Sequence, residues 1–195
     1  MAPGSITAVV GAILAGGAGR RMGGAKAARR LAGRPLLAYP ATALATVCEL
    51  VAVVCKPGTE LPDGGPWELW DDEPIEPRHP ATGIAHALAR AGGPVLVCAA
   101  DMPFVTGSEC ERLTAAMNEQ PGALAVVAEA EGHLQPVFAI YRPPAGAALI
   151  DAAARGAPLR HAVEALEPVR VELPAAALRS IDTPEALAAA ERQLG

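Results

Sequence analysis

The sequence predicts an α/β fold in which a mostly parallel sheet is flanked by helices. Short apolar runs recur at intervals of roughly 25 residues, about the length of one strand-plus-helix unit. Hydrophobic residues make up 51% of the 195 residues and charged residues only 19%, so the chain can bury a full core. Because no repeat or interdomain linker interrupts this pattern, we expect residues 1–195 to form a single domain.

The first half of the chain has the pattern of alternating strands and helices. Residues 9–14 form an apolar run that ends abruptly in glycines, as is typical of a buried parallel strand. Apolar residues at helical spacing over 34–46, followed by the apolar run 50–55, complete a βαβ unit. The sequence then predicts a short strand at 67–70, a helix at 82–91 and a strand at 94–100.

The second half continues with shorter elements. The predicted elements are a helix at 108–119, strands at 123–128 and 135–141, alanine-rich helices after Pro143 and a last strand at 169–173. Thr183 and Pro184 have the residue types of an N-cap and a first helical position. The proline-rich segment 73–80 is predicted to be a loop that faces substrate.

Charge and cysteine content narrow the class of partner. The chain carries 16 basic and 21 acidic residues, a formal net charge of -5, and has no long basic stretch, so broad nucleic-acid binding is not expected. The four cysteines form no Cys-x-x-Cys pair and are predicted to be small core residues. No apolar run is long enough to span a bilayer. We therefore expect a cytoplasmic protein that binds a small molecule and neither nucleic acid nor membrane.

A glycine-rich loop follows the first predicted strand, over residues 14–26. Glycines let main-chain N–H groups approach an anion closely, and the loop also carries Arg20, Arg21 and Lys26. Lys26 is one of only two lysines among the 16 basic residues, so composition does not explain it. The loop lacks the Gly-Lys-Ser/Thr of a P-loop, and Met22 stands where a dinucleotide fingerprint needs glycine. The pattern predicts a polyphosphate site of another kind.

An aspartate, Asp101, directly follows the strand predicted at 94–100. Ligands of open α/β sheets bind beyond the carboxyl ends of the strands, and Asp101 lies there. A carboxylate is a hard oxygen ligand that suits Mg²⁺, although Asp101 could instead cap a turn before Pro103. Asp72 could accept hydrogen bonds from a ribose or a guanine, or belong to a solvated acidic turn. Asp182 could bind metal or cap the helix that follows it.

The residues of the glycine loop carry a resemblance to a known family. The pattern Leu-Ala-Gly-Gly-x-x-x-Arg-Met-Gly-x-x-Lys over 14–26 resembles the signature of the MobA-like nucleotidyltransferases, and within them it is most similar to the molybdenum cofactor guanylyltransferases. The similarity extends to Gly33-Arg34-Pro35-Leu36, Asp72, residues 80–83, Asp101-Met102-Pro103-Phe104 and Asp182-Thr183-Pro184-Glu185.

This resemblance implies a Rossmann-like sheet of the nucleotide-diphospho-sugar transferase type. It implies an enzyme that uses Mg²⁺ to transfer GMP from GTP to the terminal phosphate of molybdopterin, with release of pyrophosphate. The implied partners are GTP, a molybdopterin-type phosphorylated acceptor and molybdoenzyme maturation proteins. The implied nucleotide contacts are Leu14, Ala15, Gly16, Gly17, Lys26, Asp72 and Asp101, and the implied metal ligands are Asp101 and Asp182.

Nucleotidyl transfer depends mainly on positioning and on charge stabilisation. We therefore expect Lys26 to neutralise charge at the α-phosphate and Arg21 to hold the departing phosphates, or the two residues to exchange these roles. The chain departs from the family at Cys55, where asparagine is frequent, and at Asp182, where the motif commonly reads Asn-Thr-Pro. Three alternatives stay open: cytidylyl transfer, transfer to another phosphorylated acceptor, and a nonenzymatic nucleotide-binding regulatory module.

Overall fold

The computed structural model describes residues 8–16 and 26–194, and of Lys26 and Leu194 only the backbone. In chain order the elements are β1 Val10–Leu14, β2 Arg30–Leu31, β3 Arg34–Pro35, α1 Ala38–Leu44, β4 Val51–Val54, β5 Glu68–Trp70, α2 Pro80–Ala91, β6 Val95–Ala99, α3 Gly107–Glu119, β7 Ala125–Ala130, β8 His133–Tyr141, α4 Ala145–Ala154, α5 Leu159–Glu164, β9 Val169–Glu172 and α6 Pro184–Leu194. A single turn of 3₁₀ helix, Lys26–Ala28, precedes β2.

The main sheet has seven strands in the order β5-β4-β1-β6-β8-β7-β9. Strand β8 runs antiparallel to its neighbours β6 and β7, and every other pairing in this sheet is parallel. The predicted mostly parallel α/β sheet is therefore confirmed. Because β8 is reversed, its amino end lies beside the carboxyl ends of β1, β4, β5 and β6, and this edge of the sheet carries the site described below.

Two hydrophobic clusters cover the two faces of the sheet. Successive residues of a strand point to opposite faces, so Ile13 belongs to the cluster that includes α1 and α3, and Ala12 to the cluster that includes α2 and α4. The central strands are buried on both faces: β4 and most of β6 are almost fully shielded from solvent. This burial explains why they appear in the sequence as continuous apolar runs.

A third, smaller hydrophobic cluster packs the last helix, α6, against the β2–β3 region. Leu31 and Leu36, from the β2–β3 region, pack against Ile181 and against Ala190 of α6. The hydroxyl of Thr183 accepts a hydrogen bond from the N–H of Ala186 at 3.2 Å, so the predicted N-cap of this helix is confirmed. Within the described part of the chain, no helix is both long enough and apolar enough to cross a membrane.

Several predicted boundaries beside two-residue hairpin turns are wrong. The helix expected from residue 34 begins at Ala38, since Ala32 and Gly33 both have positive φ and reverse the chain between β2 and β3. The strand expected at 123–128 is shifted to 125–130, and β8 begins at His133 because Glu131 and Gly132 form a second such turn. The prediction that the cysteines are core residues is confirmed, because all four are free and buried.

Candidate functional site

A cleft of about 500 Å³ opens at the edge where the carboxyl ends of the parallel strands meet. This volume lies within the usual range of small-molecule sites. The lining residues are Leu14, Gly16, Lys56, Glu73, Arg78, His79, Pro80, Gly83, Ala99, Asp101, Met102, Gln135, Val137 and Ser180. Most of them end or follow β1, β4, β5 and β6 or stand in the first half of β8, where ligands of open α/β sheets bind, and Ser180 comes from the segment after β9.

The backbone after β1 is held in place by both neighbouring strands. The N–H of Ala15 donates to the carbonyl of Val54 at 2.9 Å, and the carbonyl of Leu14 accepts from the N–H of Ala100 at 3.1 Å. Leu14 and Gly16 line the cleft, whereas Ala15 is buried and is not part of the lining. The backbone of Leu14 and Ala15, directly before Gly16, is thus hydrogen-bonded to the chain on both sides.

Three residues of the glycine-rich loop were predicted to contact the nucleotide or its phosphates, and the structure does not describe their side chains. Gly17 and Arg21 lie outside the described residues. Lys26 begins the 3₁₀ turn before β2, and only its backbone is described. Their predicted roles at the phosphates therefore stay predictions.

Asp101 also lines the cleft, one residue beyond Ala100, which follows the end of β6. It is partly buried, and its backbone carbonyl accepts a 2.8 Å hydrogen bond from the N–H of Ile181. This bond brings the segment 180–182 beside Asp101. Ser180 lines the cleft, while Asp182 is exposed and its Oδ2 accepts from the Ser180 hydroxyl at 2.6 Å. The two predicted metal residues are thus neighbours in the fold, but only Asp101 is part of the lining.

The residues present at this position fit a magnesium ion held mainly by its substrate. Mg²⁺ in nucleotide sites usually takes one or two protein carboxylates, and phosphates and water supply its remaining ligands. In residues 8–16 and 26–194, no three side chains of His, Cys, Asp or Glu come together as a closed metal cage. Asp101 lines the cleft and provides a carboxylate of the kind that the phosphate-held type of site needs.

Asp72 follows β5, and its carboxylate contacts His86 and Arg90 of α2 away from the cleft lining. Its Oδ1 accepts from Arg90 at 2.7 Å and lies 3.1 Å from Nε2 of His86, and its side chain is 61% exposed. Desolvation alone would raise the pKa of Asp72, but hydrogen bonds from its own backbone and from His86, and the charge of Arg90, hold it below the ordinary value. Arg90 also stacks over the Trp70 ring at 5.0 Å. The contact of Asp72 with a nucleotide remains a prediction.

The neighbouring carboxylate, Glu73, lines the cleft, although the sequence predicts no individual role for it within the segment 73–80. Its Oε1 lies 2.9 Å from Nζ of Lys56, and the two side chains are 6% and 13% exposed. The main chain holds Glu73 in position because its N–H donates to the carbonyl of Cys55 at 3.3 Å. One signal was available: Lys56, the second of the two lysines, comes directly after a predicted buried strand.

The proline-rich segment after β5 forms one wall of the cleft, as expected for a loop that faces substrate. Arg78, His79 and Pro80 belong to the lining together with Glu73. His79 is the N-cap of α2, and its Nδ1 accepts from the N–H of Ala81 at 3.2 Å. A histidine to which the sequence pattern gave no role thus fixes the start of the helix beside the cleft.

A mostly parallel α/β sheet with a cleft at its carboxyl edge, lined by Gly16 and Asp101, is typical of nucleotide-binding α/β proteins. The family is established by direct comparison. Residues 11–172 match the model of the MobA-like NTP transferase domain, and the chain belongs to this family of nucleotidyltransferases. The resemblance drawn from the glycine-loop motif is therefore confirmed.

Relatives with curated names agree with this family. The chain is 39% identical over 136 residues to the molybdenum cofactor guanylyltransferase of Cereibacter sphaeroides, a match that covers 67% of each chain. It is 34% identical over 137 residues to a probable molybdenum cofactor guanylyltransferase of Thermococcus kodakarensis, covering 68% of this chain and 66% of the relative. Each match therefore spans about two thirds of the relative's length.

Solved structures agree on the fold. Molybdopterin-guanine dinucleotide biosynthesis protein A from Archaeoglobus fulgidus superimposes with a TM-score of 0.76 at 24% identity, over 95% of this chain and 98% of that one. The 2-C-methyl-D-erythritol 4-phosphate cytidylyltransferase from Thermus thermophilus gives 0.69 at 23% identity, over 96% and 98%. At these identities the likeness shows the fold alone, and the two proteins share it while using different nucleotides and acceptors according to their names.

Proposed function

We propose that this chain is a guanylyltransferase that transfers GMP from GTP to the terminal phosphate of a molybdopterin-type acceptor. An oxygen of the acceptor phosphate attacks the α-phosphorus of GTP and forms the new P–O bond. The bond from the α-phosphorus to the bridging oxygen breaks, and pyrophosphate leaves with the electron pair. The site of action proposed for this reaction is the cytoplasm, where nucleoside triphosphates are available.

One observation carries the proposal: the cleft holds Gly16 and Asp101 at the ends of two adjacent parallel strands, β1 and β6. A glycine beside a nucleotide loop lets the backbone come close to the ligand, and an aspartate opposite it can face the phosphates. The names of the curated relatives support GTP as the nucleotide and the molybdenum cofactor as the acceptor.

The reaction needs little covalent participation from the protein, because a phosphate is already a nucleophile and pyrophosphate is a good leaving group once its charge is offset. Lys26 neutralises the charge that develops at the α-phosphate, and Arg21 holds the phosphates that depart. In this proposal Asp101 and Asp182 would hold Mg²⁺, which would neutralise charge on the phosphates when bound. Leu14, Ala15 and Gly17 contribute backbone contacts to the nucleotide, and Asp72 is kept as a candidate contact.

The acceptor binds in the other half of the cleft. Arg78, Gln135 and Ser180 are the polar side chains there that could meet a phosphorylated acceptor. A guanidinium suits a phosphate because it can donate two parallel hydrogen bonds, and a hydroxyl or an amide can add a third. The proposed partners of the whole chain are therefore GTP, a molybdopterin-type phosphate and, downstream, the proteins that mature molybdoenzymes.

A screen of pyrophosphate release tests the proposal. GTP, CTP, ATP and UTP are each combined with Mg²⁺ and with molybdopterin, a sugar phosphate or no acceptor. We expect release only with GTP and molybdopterin. Release with CTP would indicate cytidylyl transfer, and release with the sugar phosphate would indicate another acceptor. GTP binding without release under every condition would instead support a regulatory module.

A further inference from the structure

The Lys56–Glu73 ion pair occupies an unusual place in the wall of the cleft. In the part of the chain that the structure describes, Glu73 is the one charged residue that is buried, at 5% exposure. Lys56 holds it from one side with a 2.9 Å contact, and the same ammonium group donates to the carbonyl of Pro74. A buried carboxylate at a ligand site requires an explanation, because charged residues are seldom buried even when paired.

Stability alone is a poor explanation for this pair. Removing two charges from water costs several kcal/mol per ion by general estimates, and apolar residues of similar volume often give equal or better stability. Lys56 and Glu73 lie in the lining of the cleft, not in the two sheet-covering cores. Small-molecule sites carry a few placed polar or charged groups in a mostly apolar lining, so the two side chains are candidates for contact with a ligand.

Two glycines leave the space that the Glu73 carboxylate fills. A Cβ atom on Gly16 would lie 3.0 Å from Oε2 of Glu73, and a Cβ atom on Gly83 would lie 3.4 Å from the same oxygen. Gly16 follows β1, and Gly83 stands in the first turns of α2. Helix N-termini favour negative charge. The carboxylate thus lies between Gly16, the start of α2 and the Lys56 ammonium.

We propose that Glu73 is the specificity-determining residue that reads the nucleotide base, and that Lys56 positions it. This inference rests on the proposed nucleotide-binding function of the cleft. An ionised carboxylate only accepts hydrogen bonds and offers about four lone-pair sites, of which Lys56 uses one. It therefore selects a base edge that presents adjacent donors.

Guanine presents such an edge, because its ring N1–H and its 2-amino group are neighbouring donors. Cytosine presents its 4-amino donor beside acceptors at N3 and O2, and adenine presents its 6-amino donor beside an acceptor at N1. Neither edge offers two adjacent donors to the two carboxylate oxygens, and each places a ring acceptor against one of them. Hypoxanthine keeps the N1–H and lacks the 2-amino group. A site that has desolvated its acceptor rejects a ligand without the matching donor, since a buried polar atom is then left unpaired.

The experiment compares binding of GTP and ITP, without acceptor, by titration calorimetry in the presence of Mg²⁺. We expect the wild-type chain to bind GTP roughly 10- to 100-fold more tightly than ITP, the scale of a hydrogen bond to a charged group. Glu73→Gln should reduce this ratio to about threefold or less, since an amide replaces an acceptor with a donor. Lys56→Met should reduce it as well, and Lys56→Arg should restore most of it.

Glu129→Gln is the matched control. Glu129 pairs with Arg170 at 3.0 Å, is 15% exposed and lies on β7 outside the lining of the cleft. Its GTP:ITP ratio should equal that of the wild type. A purely structural role for Glu73 would weaken both nucleotides equally and leave the ratio unchanged, and this result would overturn the inference.

A double variant protects the test against misfolding. Lys56→Met with Glu73→Met replaces the pair by apolar side chains, a change that is often tolerated. It should unfold cooperatively and bind GTP and ITP equally; a preserved preference for GTP would also overturn the inference. The proposed function would fail if the wild-type chain bound no GTP or released no pyrophosphate. The inference about Glu73 would fail instead if the wild-type chain did both and the GTP:ITP binding ratio of the variants were unchanged.

Discussion

Gly16→Ala tests how closely the backbone at Gly16 packs against the Glu73 side chain in the wall of the cleft. The added methyl carbon would stand 3.0 Å from Oε2 of Glu73, closer than ordinary contact by a few tenths of an ångström. Glu73 cannot retreat freely, because Lys56 holds its other oxygen at 2.9 Å and its N–H is bonded to the carbonyl of Cys55. The methyl group must therefore shift either the carboxylate or the loop.

We expect this shift to lower kcat/KM for GTP by roughly 10- to 200-fold, or 1–3 kcal/mol, the usual effect of one misfitted small group in a pocket. The same substitution should harm CTP less, since a smaller pyrimidine leaves more room beside the methyl group. The assay is pyrophosphate release with both nucleotides on both variants. Equal losses for GTP and CTP would contradict the reasoning, because Gly16 would then shape the phosphate loop without affecting the base.

Gly146→Ala provides the control for adding a methyl group. Gly146 lies in α4, and a Cβ atom there meets only Leu88 Cδ1 within 4 Å among the described residues, at an ordinary 3.8 Å. Kinetics with either nucleotide should be unchanged. The free energy of unfolding should rise by about 0.5–1 kcal/mol, because alanine loses less backbone entropy than glycine in a helix.

Three further predictions concern single groups. Asp101→Asn should fold normally and lose about a hundredfold in kcat, roughly 2.7 kcal/mol, and near-wild-type rates at saturating Mg²⁺ would exclude the metal assignment. Lys26→Ala should lower kcat more than it raises KM. Lys26→Arg should restore little activity, because the planar guanidinium cannot replace the compact charge of the ammonium group. An effect on KM alone would mean that Lys26 only binds the substrate. Burial raises the pKa of the Cys48 thiol to about 12, and burial, followed by neighbouring charges, raises that of Cys110 to about 12, so iodoacetamide at pH 8 should label neither until denaturant is added; rapid labelling of the folded chain would contradict the buried positions.

Much of the sheet could be predicted because its signals are local. A strand buried on both faces is a continuous apolar run, so β1, β4 and β6 were found to within a residue or two at each end. The hairpins were harder to predict. Their turns depend on positive φ at Ala32 and Glu131, residue types that give no strong turn signal by themselves.

The site could be predicted only in part, for a different physical reason. Asp101 and Gly16 were found because each follows its own strand directly in the chain. The pairing of Lys56 with Glu73 was not found, because it joins residues that follow two different strands and depends on which strands are neighbours in the sheet. Asp72 and Glu73 are adjacent in sequence, and only the structure shows that Glu73 lines the cleft while Asp72 contacts His86 and Arg90.

The mass of the product formed from the acceptor shows directly whether this chain transfers GMP. Molybdopterin is incubated with the full chain, Mg²⁺ and GTP, and the acceptor is analysed by mass spectrometry together with the released pyrophosphate. We expect the acceptor to gain the mass of one GMP unit for each pyrophosphate released, and Asp101→Asn to form this product at least about a hundredfold more slowly. An acceptor of unchanged mass, from a chain that binds GTP and is correctly folded, would contradict this expectation.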